Sequence, residues 1–329
     1  MMRRREFITA LGGAAAWPLA ARAQEGATRT IGWLSLRSAN TNTDTSILAA
    51  LRQGLNQTGY VEGKNLKIES RFGEGQHDRL PALAAELVRR QVEVLVTGGG
   101  TPVARVAQAA TTTIPIIFAT ASDPVQDGIV KSINRPDGNS TGMYVLNTAL
   151  VPKRLELLRE LVPNARLVGF LVNPNNSNTG DQIRLAQSAV RTMDLELLVL
   201  SATTASEIDT AFATLMQRSV DGLVMGNDQF FQVRQDQVIA LTARYRLPTI
   251  YEWSEFVRAG GLASYSADRV EIWRHMGVYV SRILNGAKPA ELPVMQPTKF
   301  ELVVNMKTAK ALGLKIAESF LHLADEVIE

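Results

Sequence analysis

From about residue 31 onward, short apolar runs alternate with longer segments in which apolar residues recur every three or four positions. The short runs predict strands covered on both faces, and the longer segments predict amphipathic helices. Strands are expected at 31–34, 66–71, 92–96, 114–119, 167–172, 195–200, 222–225 and 249–251. Between them lie helices at 45–58, 78–90, 152–161, 180–193, 205–218 and 233–244, with a further small-residue helix after Pro102. The spacing of Leu80, Leu83, Ala84, Leu87 and Val88 is helical, and Gly59 reads as a helix C-cap. Dense turn chemistry at 134–142 (N-R-P-D-G-N-S-T-G) interrupts the series, which then starts again with different residues. Two such units predict an α/β protein of two doubly wound lobes. The tail breaks the rhythm. A strand at 260–265 precedes a long helix at 268–284, stopped by Asn285-Gly286. Pro289, Pro293 and Pro297 follow, then an alternating strand at 299–305 and a final helix.

Charge changes the picture mainly at the start. The chain opens M-M-R-R-R-E-F-I and continues through a short apolar stretch to Ala21-Arg22-Ala23. That order of basic, apolar and small residues predicts a twin-arginine-type export signal over residues 1–23, removed after export. Four of the 35 Lys and Arg residues and one of the 32 acids lie there, leaving 31 of each. The expected mature protein is neutral and lacks the basic excess that nucleic acid requires. With no cysteine, disulfides, thiol chemistry and a cysteine-borne lipid anchor are excluded. The expectation is a periplasmic protein, soluble after loss of its leader.

Candidate chemistry gathers where strands end. The strand at 92–96 runs into Gly98-Gly99-Gly100-Thr101-Pro102, and the next into Ser122-Asp123-Pro124. Each places a capping residue before a proline at the first helical position. Asn173-Pro174-Asn175-Asn176 repeats the device in the second half. Ser35 and Arg37 follow the first strand, Asn227-Asp228 end another, and Tyr251-Glu252 a further one. In a parallel α/β sheet this edge is where ligands bind. Gly99 and Gly100 serve either a tight turn or close approach of a ligand carboxylate to backbone N–H groups. Asp123 is either an N-cap or the partner of an ammonium group. These residues suit holding a small zwitterion better than performing a reaction.

Known cofactor and catalytic patterns are incomplete. No G-K-[ST] follows the glycines, and Val103 stands where a dinucleotide fingerprint needs its third glycine. His77, His275 and His322 lack metal-ligand spacing, and no G-x-S-x-G elbow occurs. Asp228 with Glu252 reads as a solvated rim pair. No cofactor, metal or catalytic residue is expected. The alternatives are an exported α/β enzyme with a cofactor and a ligand sensor for a membrane receptor.

An ordered set of segments resembles the periplasmic substrate-binding proteins of ABC transporters, in the branch related to tryptophan- and other aromatic-amino-acid-binding lipoproteins. The segments are G-x-x-E-G-K-N at 59–65, D-R-L-P-A-L-A-A-E-L-V at 78–88, T-G-G-G-T-P, I-P-I-I-F-A-T-A-S-D-P-V, R-P-D-G-N-S-T-G, K-R-L-E-L-L-R-E-L-V-P, L-V-N-P-N-N, G-G-L-A-S-Y, and L-P-V-M-Q-P-T-K-F-E-L-V-V-N at 292–305. The resemblance implies a type I periplasmic-binding-protein fold, with two lobes joined by three crossovers near 142–146, 262–265 and 288–297. It divides the chain into 28–143 plus 263–290 and 144–262 plus 291–329. It implies a monomeric receptor that clamps a small amino-acid-like ligand, aromatic or branched, and delivers it to ABC permease subunits. By position, the ligand-contacting loops fall on Ser35, Thr101 and Asp123 in one lobe and on Asn175, Asn227, Asp228 and Tyr251 in the other. Relatives often read Tyr-Gly after the second crossover, where this chain has Tyr265-Ser266.

Overall fold

A computed structural model describes residues 28–39 and 42–329; the expected leader lies outside them. The first sheet has the order β2-β1-β3-β4-β5 and is parallel throughout. Its strands are β1 (Arg29–Ser35), β2 (Leu66–Phe72), β3 (Val94–Gly98), β4 (Ile116–Thr120) and β5 (Ser140–Tyr144). The helices α1 (Asn42–Asn56), α2 (Leu80–Arg89) and α3 (Thr101–Ala110) connect them. Every residue of β3 and β4 is buried, as expected of apolar runs covered on both faces. The stretch 134–142 is not all turn. Its last residues enter β5, where Ser140 and Thr141 pair with Ile116 and Ile117.

The second lobe begins with α4 (Val151–Leu161), followed by β6 (Leu167–Val172), α5 (Thr179–Met193), β7 (Glu196–Ser201) and α6 (Ala205–Gln217). Then come β8 (Gly222–Met225), α7 (Gln229–Val233), α8 (Gln235–Arg244), β9 (Thr249–Tyr251), α9 (Ser254–Arg258) and β10 (Ala263–Ala267). Next, α10 (Arg269–Leu284) returns to the first lobe. The chain ends in the second with β11 (Phe300–Asn305), α11 (Met306–Leu312), α12 (Glu318–Leu321) and β12 (Glu326–Ile328). The second sheet has the order β12-β11-β10-β9-β8-β6-β7, with only β10 and β11 antiparallel. The expected single terminal helix is therefore two short helices and an edge strand. Gly313, at φ 76°, ends the first of them.

Return of α10 to the first lobe depends on two glycines. A Cβ on Gly277 would lie 2.3 Å from the Leu51 carbonyl oxygen of α1, and one on Gly54 would lie 1.9 Å from the Arg274 carbonyl oxygen. Backbones this close exclude any side chain at the crossing. Trp273 of α10 also meets the buried Trp33 of β1 edge to face, 5.1 Å between ring centroids.

The lobes are joined by three connectors. The first, 145–150, follows β5. The second is the turn at Asp268. The third, 296–299, follows Met295, which still runs beside β5: Tyr144 N–H donates to the Met295 carbonyl and Met295 N–H to the Gly142 carbonyl. The expected division at 263 and crossing at 262–265 fall inside β10, which pairs with β9 and β11 in the second sheet. The Gly260-Gly261 step is a turn packed under the Tyr251 ring, not a linker. Likewise 291–295 stays with the first lobe. Asp268 N–H donates to the Lys299 carbonyl at 3.2 Å, so the second and third connectors run side by side.

Candidate functional site

Between the facing edges of the lobes lies a cavity of about 200 Å³, room for a small solute and not merely one or two waters. The first lobe supplies its strand ends: Leu36 and Arg37 after β1, Gly99, Gly100 and Thr101 after β3, and Ala119 to Ala121 after β4. Gly99 has φ 124° and Gly100 φ 80°. A Cβ on Gly99 would meet Val103 at 2.8 Å and Leu36 at 3.0 Å. The turn thus requires glycine on both conformational and steric grounds. It brings the N-terminus of α3, with its free N–H groups, to the cavity wall.

Opposite, the second lobe presents Asp228 at the N-terminus of α7. Its Oδ1 accepts from Phe230 N–H at 2.7 Å and from Asn173 Nδ2 at 2.9 Å, and its Oδ2 from Asn176 Nδ2 at 2.6 Å. Burial raises its pKa above the ordinary carboxylate value, and these donors offset part of the shift. Gln182 fixes Asn227 through both its backbone N–H (2.7 Å) and its carbonyl (3.1 Å). Phe230, Trp253, Ile272 and Trp273 give the apolar part of the wall. The Arg269 guanidinium covers the Trp253 ring at 3.7 Å and pairs with Glu255 at 3.2 Å.

One chain of hydrogen bonds spans the lobes. Arg37 Nη2 donates to Gln232 Oε1 at 3.1 Å, and Gln232 Nε2 donates to Glu252 Oε1 at 2.7 Å. Glu252 is 1% exposed, so it is no solvated rim residue. Burial pushes its pKa up to about 8, against the opposing pull of Arg154, Gln232 and Arg269. Beneath the first connector lies Arg154, fully buried, its pKa lowered by burial to about 10. Its Nε donates to the Tyr265 carbonyl at 2.9 Å, Nη1 to the Asn147 carbonyl at 3.1 Å, and Nη2 to Asn147 Oδ1 at 3.2 Å.

Of the residues expected to form the site, Arg37, Gly99, Gly100, Thr101, Asn173, Asn175, Asn227 and Asp228 line this cavity. Four do not. Ser35 is fully buried and accepts from Arg37 N–H. Ser122 donates to the Asp127 carboxylate, which also accepts from Thr101 Oγ1 at 2.8 Å. Asp123 caps its own turn, accepting from Val125 N–H at 2.8 Å. Tyr251 is core: its hydroxyl meets Thr242 Oγ1 at 3.0 Å and its ring stacks on Phe256 at 4.8 Å. Apolar strand runs indicate an edge but not which side chains turn over it. Missed entirely were Asn147, Phe230, Gln232, Trp253, Arg269 and Trp273. Trp253 alone carried a local signal, directly after a strand-end pair. Among the described residues no group of three or more His, Asp or Glu side chains is placed to hold a metal ion.

A family model of ABC transporter substrate binding proteins matches residues 42–328. A tyrosine-binding protein of Clostridioides difficile is 27% identical over 263 residues, covering 80% of this chain and 75% of the relative. A conserved domain protein from Vibrio cholerae superposes with a TM-score of 0.84 at 27% identity, covering 91% of this chain and 99% of that one. An ABC domain from Streptococcus pneumonia, solved in complex with L-Trp, superposes with a TM-score of 0.83 at 27% identity, covering 92% and 100%. The two-lobed architecture is that of type I periplasmic binding proteins.

Proposed function

We propose, from the premise that this chain belongs to the ABC transporter substrate-binding proteins, that its interlobe cavity takes an L-amino acid with an aromatic side chain. The chain is a solute-binding receptor, and its family binds and delivers solutes without chemically changing them. The observation that carries the choice of ligand is the composition of the wall. A buried carboxylate, Asp228, faces the N-terminus of α3 across a cavity lined by Phe230, Trp253 and Trp273. Asp228 takes the ligand ammonium, the role expected of Asp123, which does not line the cavity and whose Oδ1 caps its own turn. The Gly99–Thr101 turn and α3 receive the carboxylate, and the aromatic rings receive the side chain. The related proteins that bind tyrosine and L-Trp support this reading.

The receptor operates in the periplasm after export by its twin-arginine leader, as a monomer, and hands its ligand to permease subunits. Among the described residues no helix is long and apolar enough to cross a membrane. The three connectors supply the hinge, and the Arg37–Gln232 hydrogen bond joins the two lobes across the cavity. Isothermal titration of the purified protein with the twenty L-amino acids tests the reading. Saturable binding of tryptophan, tyrosine or phenylalanine is the expected result. Heat from none of the three, with binding of a sugar or an inorganic ion instead, refutes it.

A further inference from the structure

Asn147 sits on the first connector, is fully buried, and lines the cavity. Its carboxamide has one settled end. Arg154 Nη2 donates at 3.2 Å, and a guanidinium can only donate, so the atom facing it is Oδ1. The opposite end, Nδ2, finds no hydrogen-bond partner among the described residues. A buried NH2 group without an acceptor is unfavourable, which asks what meets it when the site is in use. Among the described residues Arg154 has no carboxylate as a hydrogen-bond partner; it donates to the Asn147 and Tyr265 carbonyls and to the Asn147 side-chain amide. Burial raises the pKa of its neighbouring acid, Glu252, and so weakens that group as a counter-charge. A cation therefore lies behind Asn147, polarising the amide so that its free end is the more positive.

We propose that Asn147 Nδ2 donates to the carboxylate of the bound amino acid, and that Arg154 is the positioning residue that fixes this amide in place. The inference rests on the amino-acid reading above and deepens it. The same guanidinium grips the first connector at Asn147 and the middle of β10 at Tyr265, three residues before the second connector at Asp268. Ligand charge is thereby read at the hinge itself. The turn at Gly99–Thr101 supplies backbone donors to the same group, and a carboxylate has lone pairs for both.

The test uses L-tryptophan and L-tyrosine as probes, with their amides, in which a carboxamide replaces the carboxylate. Asn147→Asp keeps the shape, gives Arg154 a stronger partner, and removes the NH2 donor. It is expected to weaken amino-acid binding by about 10- to 100-fold and to shift the preference toward the amide, whose NH2 can donate to Asp. Arg154→Lys keeps the charge but loses the fork, and is expected to lower the same acid-to-amide selectivity. A purely structural role would weaken both probes in parallel. A thermal melt of the ligand-free variants verifies folding. If the wild type binds neither amino acid, the amino-acid reading falls and takes this inference with it. If the wild type binds and the Asn147→Asp variant keeps the wild-type acid-to-amide ratio, this inference alone is overturned.

Discussion

Replacing Glu252 with Gln removes a carboxyl group that is 1% exposed and whose Oε2 has no partner among the described residues. Burial raises its pKa from 4.5 to about 8. Arg154, Gln232 and Arg269 pull it down and Asp228 pushes it further up, without reversing the effect of burial. Because the folded value lies above the unfolded one, the folded state holds the extra proton. The contribution of Glu252 to stability is then fully present below pH 4.5 and is lost as pH rises through 8. Applying linkage to those two values gives a loss of roughly 2 kcal/mol between pH 6 and pH 8, within a total of ~5 kcal/mol. Glu252→Gln cannot ionise, so this contribution disappears whatever constant offset the new amide introduces. Urea unfolding of the ligand-free wild type and variant at pH 6, 7, 8 and 9 isolates the effect as the change in their stability difference. We expect the wild type to lose about 2 kcal/mol relative to Glu252→Gln from pH 6 to pH 8. A difference that stays flat, or one that moves in the wild type's favour as pH rises, refutes the reasoning. It would mean that Arg154 outweighs burial and that Glu252 is already charged in the fold.

Asp228→Asn should weaken aromatic amino-acid binding by about 10- to 100-fold in calorimetry, since an amide replaces the charge that meets the ammonium; unchanged affinity removes Asp228 from the site. Asp123→Ala should leave that affinity unchanged and cost ~0.5–1 kcal/mol in urea, the worth of one lost turn cap. A large loss of binding would restore Asp123 as a ligand contact. Gly277→Ala should lower stability by about 1–3 kcal/mol by forcing α10 off α1, because the new methyl would sit 2.3 Å from a backbone oxygen that cannot rotate away. An unshifted urea midpoint would show that the crossing can absorb a methyl group.

The alternation of buried strands and amphipathic helices was legible because it is local. Val94–Val96 and Ile116–Ala119 are apolar throughout, and such a run is stable only when helices cover both faces. The glycine turn after β3 was legible for the same reason: its positive φ angles demand glycine wherever the chain later goes. Strand-end position also pointed to the edge where the interlobe cavity lies, and most of the polar residues read from it line that cavity. Tertiary structure decided what local pattern cannot carry. The second connector lies after Ala267, not at 262–265, because β10 finds partners on both sides in the second sheet, and pairing partners are remote in sequence. Tyr251 and Asp123 stand at strand ends like Asp228 and Thr101. One ring is stacked into the core on Phe256, and one carboxylate is occupied by the turn that follows it. Asn147, Arg154 and Glu252 carry no spacing that marks them. Their roles arise only where two connectors and a strand end converge, and where burial without full pairing changes what an amide or a carboxyl group can do.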